Sequence, residues 1–273
     1  TSLSFLLMKH PEDTAATLRD TQSESDHRRI VIDRVGVKNL RFPIQVAVGP
    51  GAPQSTIATV QLTVELPQEF KGTHMSRFLE VLQAHGPVLH PEDIENLLRA
   101  LIGRLHSKRA HLEFEFPFFL EKKAPVTGAP GLVDYTARFT ATADRESHDL
   151  LTTVVANVTT LCPCSKAISA SGAHNQRGQV TLRLRSEHPL PLPEMVSLIE
   201  RSASSELYSV LKRPDEKAVT ERAYANPVFV EDLVRNIASQ VIADPRITWW
   251  QVEAENFESI HNHNAYAMVE KHA

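Results

Sequence analysis

Leu112-Glu113-Phe114-Glu115-Phe116-Pro117-Phe118 alternates a large apolar side chain with a polar residue or proline at every step. Successive side chains of a strand point to opposite faces, so a period of two means one buried face and one wet face. The stretch reads as a half-buried strand rather than a helix. Val133, Tyr135, Ala137 and Phe139 repeat the alternation downstream. Upstream, Ile30-Val31-Ile32 through Val35-Gly36-Val37, Phe42 to Val48 and Ile57 to Leu66 are β-branched stretches divided by Gly and Pro, as strands and turns are. Between these strands the period changes to that of a helix. Phe78, Val81 and Leu82 share one helical face, and Ile94, Leu97, Leu98, Leu101, Ile102 and Leu105 share another after Pro91-Glu92-Asp93.

The second half repeats this order. Val154 to Val158 and the alternating Val180, Leu182 and Leu184 form two strands before the Pro-rich 189–193 linker. Two helices are expected next. One carries Met195, Leu198, Ile199, Ala203 and Leu207; the other starts at Asn226-Pro227, a cap and first-turn pair, and runs through Val230, Leu233, Val234, Ile237 and Val241. Final strands fall near 247–252 and 265–269. Each half reads strand, strand, helix, helix, strand, strand, which predicts a duplicated α+β module. The expected divisions are a flexible tail over 1–28, a first module over 29–145 and a second over 146–273.

At 273 residues the chain is long enough for two cores, with 42% apolar and 23% charged residues. No apolar run approaches the roughly 20 residues that span a bilayer. The short Leu3-Ser4-Phe5-Leu6-Leu7-Met8 patch lacks preceding basic residues and a small-residue cleavage site, so it reads as untargeted tail. A net charge of -4 with dispersed basic residues disfavours a nucleic-acid groove. Two cysteines do not make a disulfide framework, so a reducing compartment, the cytoplasm, is expected.

Both cysteines fall in Leu161-Cys162-Pro163-Cys164-Ser165-Lys166, ten residues ahead of His174 in Ser171-Gly172-Ala173-His174-Asn175-Gln176-Arg177-Gly178. Pro163 biases Cys162 away from helix, so the Cys-Pro-Cys unit is expected to be extended with both sulfurs on one side. Cys162, Cys164 and His174 are ligand types for a borderline divalent metal. The bland alternative is two small buried hydrophobes placed together by chance. Glu258, His261 and His263 could complete such a site, or form a polar turn before the last strand. Asp215, Glu216 and Glu221 fall between the paired helices, where carboxylates are solvated unless a loop folds inward. Glu231 suits the first turn of a helix through the dipole alone, and a carboxylate held there could also accept a ring N–H and an exocyclic amine. Ser165, Lys166 and Arg177 are donors suited to an anionic tail, although no phosphate-loop motif occurs.

Together with Asp20-Thr21-Gln22-Ser23, Val35-Gly36-Val37, Arg41-Phe42-Pro43, Gly72-Thr73-His74-Met75-Ser76-Arg77-Phe78 and Asn226-Pro227-Val228-Phe229-Val230-Glu231-Asp232, these segments resemble the type IB GTP cyclohydrolases. The resemblance spans residues 20–272. It implies a tunnelling fold, in which paired modules associate into β-barrels between subunits of a homo-oligomer, a tetramer by expectation, with active sites at the interfaces. It implies conversion of GTP and water to formate and 7,8-dihydroneopterin triphosphate, the entry to folate-type pterins. It implies a zinc, manganese or iron ion on Cys162, His174 and Glu216, with His261 and Glu258 beside them. Cys164, with His261 and His263, would move protons, and Glu231 would anchor the purine. Two rival readings stand beside it. One is a tunnelling-fold nitrile reductase in which Cys162 attacks the nitrile and NADPH reduces the adduct. The other is a non-catalytic purine- or pterin-binding oligomer.

Overall fold

A computed structural model describes residues 20–48 and 52–272. The strands are β1 (Ile32–Val46), β2 (Gln54–Leu66), β3 (Val88–Leu89), β4 (Ala110–Lys123), β5 (Pro130–Ala143), β6 (His148–Leu161), β7 (Asn175–Ser186), β8 (Ser205–Glu206), β9 (Ile247–Asn256) and β10 (Ala265–Glu270). The helices are α1 (Met75–His85), α2 (Ile94–Leu105), α3 (Pro163–Ile168), α4 (Leu192–Glu200), α5 (Arg213–Ala225) and α6 (Val230–Ala243). All strands join one sheet in the order β10-β9-β7-β6-β5-β4-β2-β1-β3, with β8 paired to β6. The long ladders are antiparallel and β1 meets β3 in parallel, so the architecture is α+β around a large mixed sheet.

Alternation sets which face is covered. Val60 and Leu62 of β2, Leu112, Phe114, Phe116 and Phe118 of β4, Ala137 and Phe139 of β5, Val180 and Leu182 of β7, and Val252 and Ala254 of β9 are buried in one continuous core. Helices α1 and α2 close that face beside β1, β4 and β5, and α4 and α6 close it beside β6, β7, β9 and β10. Phe116 packs on Phe139 at 5.5 Å between ring centroids, and Phe118 on Tyr135 at 5.6 Å, both tilted as aromatic quadrupoles prefer. Gly36 has a steric cause: a Cβ there would lie 2.1 Å from the Leu62 carbonyl oxygen across the β1–β2 ladder. That glycine of the Val35-Gly36-Val37 segment is structural.

Several expectations are corrected. The segments 30–37 and 42–48 fall on a single strand, β1, which spans Ile32–Val46 with register shifts between Ile32 and Val35 and between Val37 and Leu40. The second half carries four helices instead of two, because 163–168 and 213–225 are also helical, and the first expected helix ends at Glu200, leaving Ala203 and Leu207 on either side of β8. Asn226 ends α5, and α6 starts at Val230 with Asp232 Oδ2 accepting the Phe229 N–H at 3.2 Å. Asn226 instead donates through Nδ2 to the Ala203 carbonyl at 2.9 Å. α5 buries only Asp215 and Ala223, so it has no apolar stripe for a periodicity to reveal. The expected tail divides: residues 1–19 lie outside the described residues. Residues 20–28 run along the segment ahead of α1, with Gly72 N–H donating to Gln22 at 3.0 Å and Lys71 N–H to Glu24 at 2.9 Å.

Asp215 pins α5 in place. Its Oδ1 accepts the N–H groups of Val126 and Thr127, each at 2.9 Å, and its Oδ2 accepts Thr127 Oγ1–H at 2.7 Å and Lys212 N–H at 2.9 Å. Burial opposes the charge, but these donors outweigh it and hold the carboxyl well below the usual carboxylate range. The group binds its proton more weakly folded than unfolded. Its stabilisation is therefore complete above the unfolded value of about 4 and is lost as pH falls towards the lower folded value. Urea titrations of the wild type and Asp215→Asn should show a gap in midpoint that is widest at pH 7 and narrows between pH 5 and 3. An equal gap at both ends would reject the assignment.

Candidate active site

The end of β6 builds the site. Leu161 is the last ladder residue, and Pro163, with no N–H to continue the sheet, opens the short helix α3 at its first position. Cys162 is left between them as the helix cap, in extended geometry, and its Sγ accepts the Ser165 N–H at 3.3 Å. The expectation that both sulfurs project to one side is corrected here. Pro163 and Cys164 turn into the helix, so Cys162 is partly buried while Cys164 is exposed. Gly172, with φ of +80°, lets the chain return to β7. Cys162 N–H then donates to the His174 carbonyl at 3.1 Å, extending the β6–β7 pairing so that the two residues face each other.

Two further segments are tied to this end by main-chain bonds. Val228 N–H donates to Leu161 at 3.0 Å, bringing the start of α6 and Glu231 to the cysteine. Phe257 N–H donates to Arg177 at 2.9 Å, bringing in the 257–264 loop. The result is a cleft of about 250 Å³ walled by Cys162, His174, Glu231, Glu258, His261 and His263, with Gln176, Asn256 and Phe229. His261 and His263 stack at 5.1 Å between ring centroids. His174 Nδ1 lies 2.9 Å from Gln176 Oε1 and 3.7 Å from Glu258 Oε2. A hollow of about 300 Å³ beside the start of α2 and residues 185–189 contains neither thiol.

Other anticipated residues lie outside these walls. Ser165 turns its hydroxyl to the His174 N–H at 3.3 Å. Lys166 Nζ donates to the Tyr224 carbonyl at 2.5 Å and sits 4.5 Å over that ring, and Arg177 is exposed on β7. Glu216 is exposed in the first turn of α5, beside the pinned Asp215. Eight residues at about 1.5 Å each put it about 12 Å along the helix from Tyr224, the end that meets Lys166. Asp215, Glu216 and Glu221, expected in a loop, are all helical.

Gln176 and Asn256 were not singled out from the sequence. Strand alternation could have found the first, since it shares a face with His174 two residues earlier. Asn256 is 2% exposed and its Oδ1 has no hydrogen-bond partner. That oxygen sits where a side chain on Gly178 would begin, 2.7 Å from the position of a Cβ. Soft sulfur, imidazole and carboxylate together suit a borderline divalent cation. Among the described residues, no three Cys, His, Asp or Glu side chains already stand close enough to hold one.

Fold and cleft together define an α+β protein that gathers a thiol, imidazoles and carboxylates at one end of its sheet, residue types suited to moving protons and activating water. A family model described as type I GTP cyclohydrolase folE2 matches residues 18–267, and the chain belongs to that family of hydrolases acting on GTP. It is 58% identical to the GTP cyclohydrolase FolE2 of Akkermansia muciniphila, over 93% of this chain and 97% of that one. It is 52% identical to the GTP cyclohydrolase FolE2 of Magnetococcus marinus, over 93% and 96%. The resemblance to type IB enzymes is thereby placed at the level of type I and FolE2. Among solved structures, the uricase from Arthrobacter globiformis aligns with a TM-score of 0.49 and 7% identity, over 88% of this chain and 92% of that one. A likeness at that level assigns neither fold family nor function.

Proposed function

We propose that this chain converts GTP and water to formate and 7,8-dihydroneopterin triphosphate in folate-type pterin synthesis, as a type IB enzyme of tunnelling fold. The observation that carries the reading is the convergence of Cys162, His174 and Glu231 on one cleft, in a chain of this family. Glu231, at the start of α6, accepts the ring N–H and exocyclic amine of guanine, and the purine is held with its imidazole side toward Cys162 and His174. Cys162 and His174 hold a zinc, manganese or iron ion, with Glu258 and His261 on the same walls. Bound there, the cation supplies Lewis acidity and brings the pKa of water towards neutrality. His261 and His263 exchange protons with the opening ring, and Cys164 does so from the exposed side of α3. Ser165, Lys166 and Arg177 serve the triphosphate.

The same reading makes the site composite. At about 250 Å³ the cleft falls below the ~300–1,000 Å³ typical of small-molecule sites, so a nucleotide must extend past the walls of one chain. Glu216 is remote along α5. The matching segments at 20–23 and 72–78 lie near β1 and β2, four to five strand spacings of about 4.8 Å from β7. Assembly of two-module subunits into a homotetramer, with β10 as an open edge and Ile168, Ile260, Tyr266 and Met268 exposed around the cleft, would unite these groups. The cytoplasm is the matching compartment; among the described residues no helix is long and apolar enough to cross a membrane.

Protein loaded with zinc or manganese and given GTP should release formate and a pterin that fluoresces after oxidation. Absence of formate with either metal would reject the activity. Turnover unchanged by a chelator would reject the cation alone.

A further inference from the structure

Behind His174 lies a chain of two hydrogen bonds that the reaction as outlined does not use. Gln176 Nε2 donates to Thr160 Oγ1 at 2.9 Å, and Gln176 Oε1 faces His174 Nδ1 at 2.9 Å. Thr160 is fully buried and Gln176 is 8% exposed, so water does not compete freely for either bond. A primary amide has one acceptor end and one donor end. With the donor end placed on Thr160, the carbonyl oxygen faces the imidazole, an arrangement matched by a proton on Nδ1. Glu258 Oε2, 3.7 Å from the same nitrogen, is a second acceptor and no donor. Both neighbours of Nδ1 therefore ask for an N–H, which leaves Nε2 as the ring's only lone pair.

We propose that Gln176, anchored by Thr160, is a positioning residue that locks His174 in the Nδ1–H tautomer and fixes its ring so that Nε2 is the ligating nitrogen. The inference rests on the reading of His174 as a metal ligand. It assigns Gln176 a role through His174, with no contact to substrate. It also explains local sequence: His174 immediately precedes β7, two residues before Gln176, and residue 160 lies opposite 176 in the β6–β7 register.

Nitrogen-15 NMR of histidine-labelled, metal-free full-length protein at alkaline pH reads the tautomer directly, with His174→Gln identifying the resonances. The wild type should show Nδ1–H, and an Nε2–H ring would overturn the proposal whatever any variant does. Gln176→Met should move His174 towards Nε2–H and weaken zinc binding by about 10–100-fold, the usual effect of losing a ligand's hydrogen-bond partner. Gln176→Glu, which keeps the acceptor, should hold the wild-type affinity. Unaltered tautomer and zinc affinity in a folded Gln176→Met protein would overturn the role. Zinc that leaves the wild-type His174 resonances unmoved would overturn the metal reading instead, while the metal-free tautomer still decides for or against Gln176.

Discussion

Replacing Glu231 by glutamine is expected to lower kcat/KM for GTP by about 10⁴-fold, the discrimination reached when a site built for a polar edge loses its matching group. The guanine edge offers two donors side by side, a ring N–H and an exocyclic amine. A carboxylate accepts both; an amide accepts one and sets its own donor against the other. Glu231 is the second residue of α6 and an exposed wall of the cleft. The helix start does not depend on it, because Asp232 supplies the acceptor for the Phe229 N–H. Loss of its interaction with the helix dipole costs about 0.3–1 kcal/mol, so thermal unfolding should barely change. The variant should also discriminate less between GTP and inosine triphosphate, which lacks the exocyclic amine. Wild-type kinetics with GTP in this variant would remove Glu231 from recognition, and a large fall in Tm would show a structural role.

The sheet was readable in the sequence because its burial is one-sided. Leu112 to Phe118 and Val133 to Phe139 alternate since only one face meets helices, and the observed core repeats that alternation from Leu112 to Phe118 and from Tyr135 to Phe139, with Val133 partly buried against it. Helices α2 and α6 were readable for the same reason at the helical period. α5 was not: its hold on the fold is a carboxylate with four hydrogen bonds, which leaves no apolar repeat. The start of α6 was misplaced because Asn226-Pro227 has the chemistry of a cap, while Asn226 Nδ2 is taken by Ala203 and the chain stays extended to Phe229. Within the site, residue types close in sequence were legible, as in the Cys-Pro-Cys segment and His174. The gathering of 162, 174, 231 and 258–263 depends on the bonds from Val228 to Leu161 and from Phe257 to Arg177, which no local pattern encodes. Gln176 escaped because its meaning lies in a partner, Thr160, sixteen residues away on the neighbouring strand.

Cys162→Ser separates the helix cap that this cysteine provides from the metal ligation proposed for it. In the folded chain its Sγ caps α3 by accepting the Ser165 N–H, and serine is among the best residues for that task. The variant should fold with an unchanged or slightly raised Tm. Its hydroxyl is a poor substitute for a thiolate towards a borderline cation, and it is a weak nucleophile without a base beside it. Partners behind a ligand are typically worth 10–100-fold, so loss of the ligand itself should lower activity by about 10³-fold or more. Cys164→Ser, at an exposed position outside the cleft walls, should keep metal binding and lose rate through proton transfer alone. Alkylation tells the two sulfurs apart: zinc should shield Cys162 from iodoacetamide and leave Cys164 reactive. A Cys162→Ser enzyme that retains GTP turnover would exclude the thiol from the chemistry and reduce it to a helix cap. Equal shielding of both cysteines would instead place Cys164 beside the cation and overturn its assignment to proton transfer.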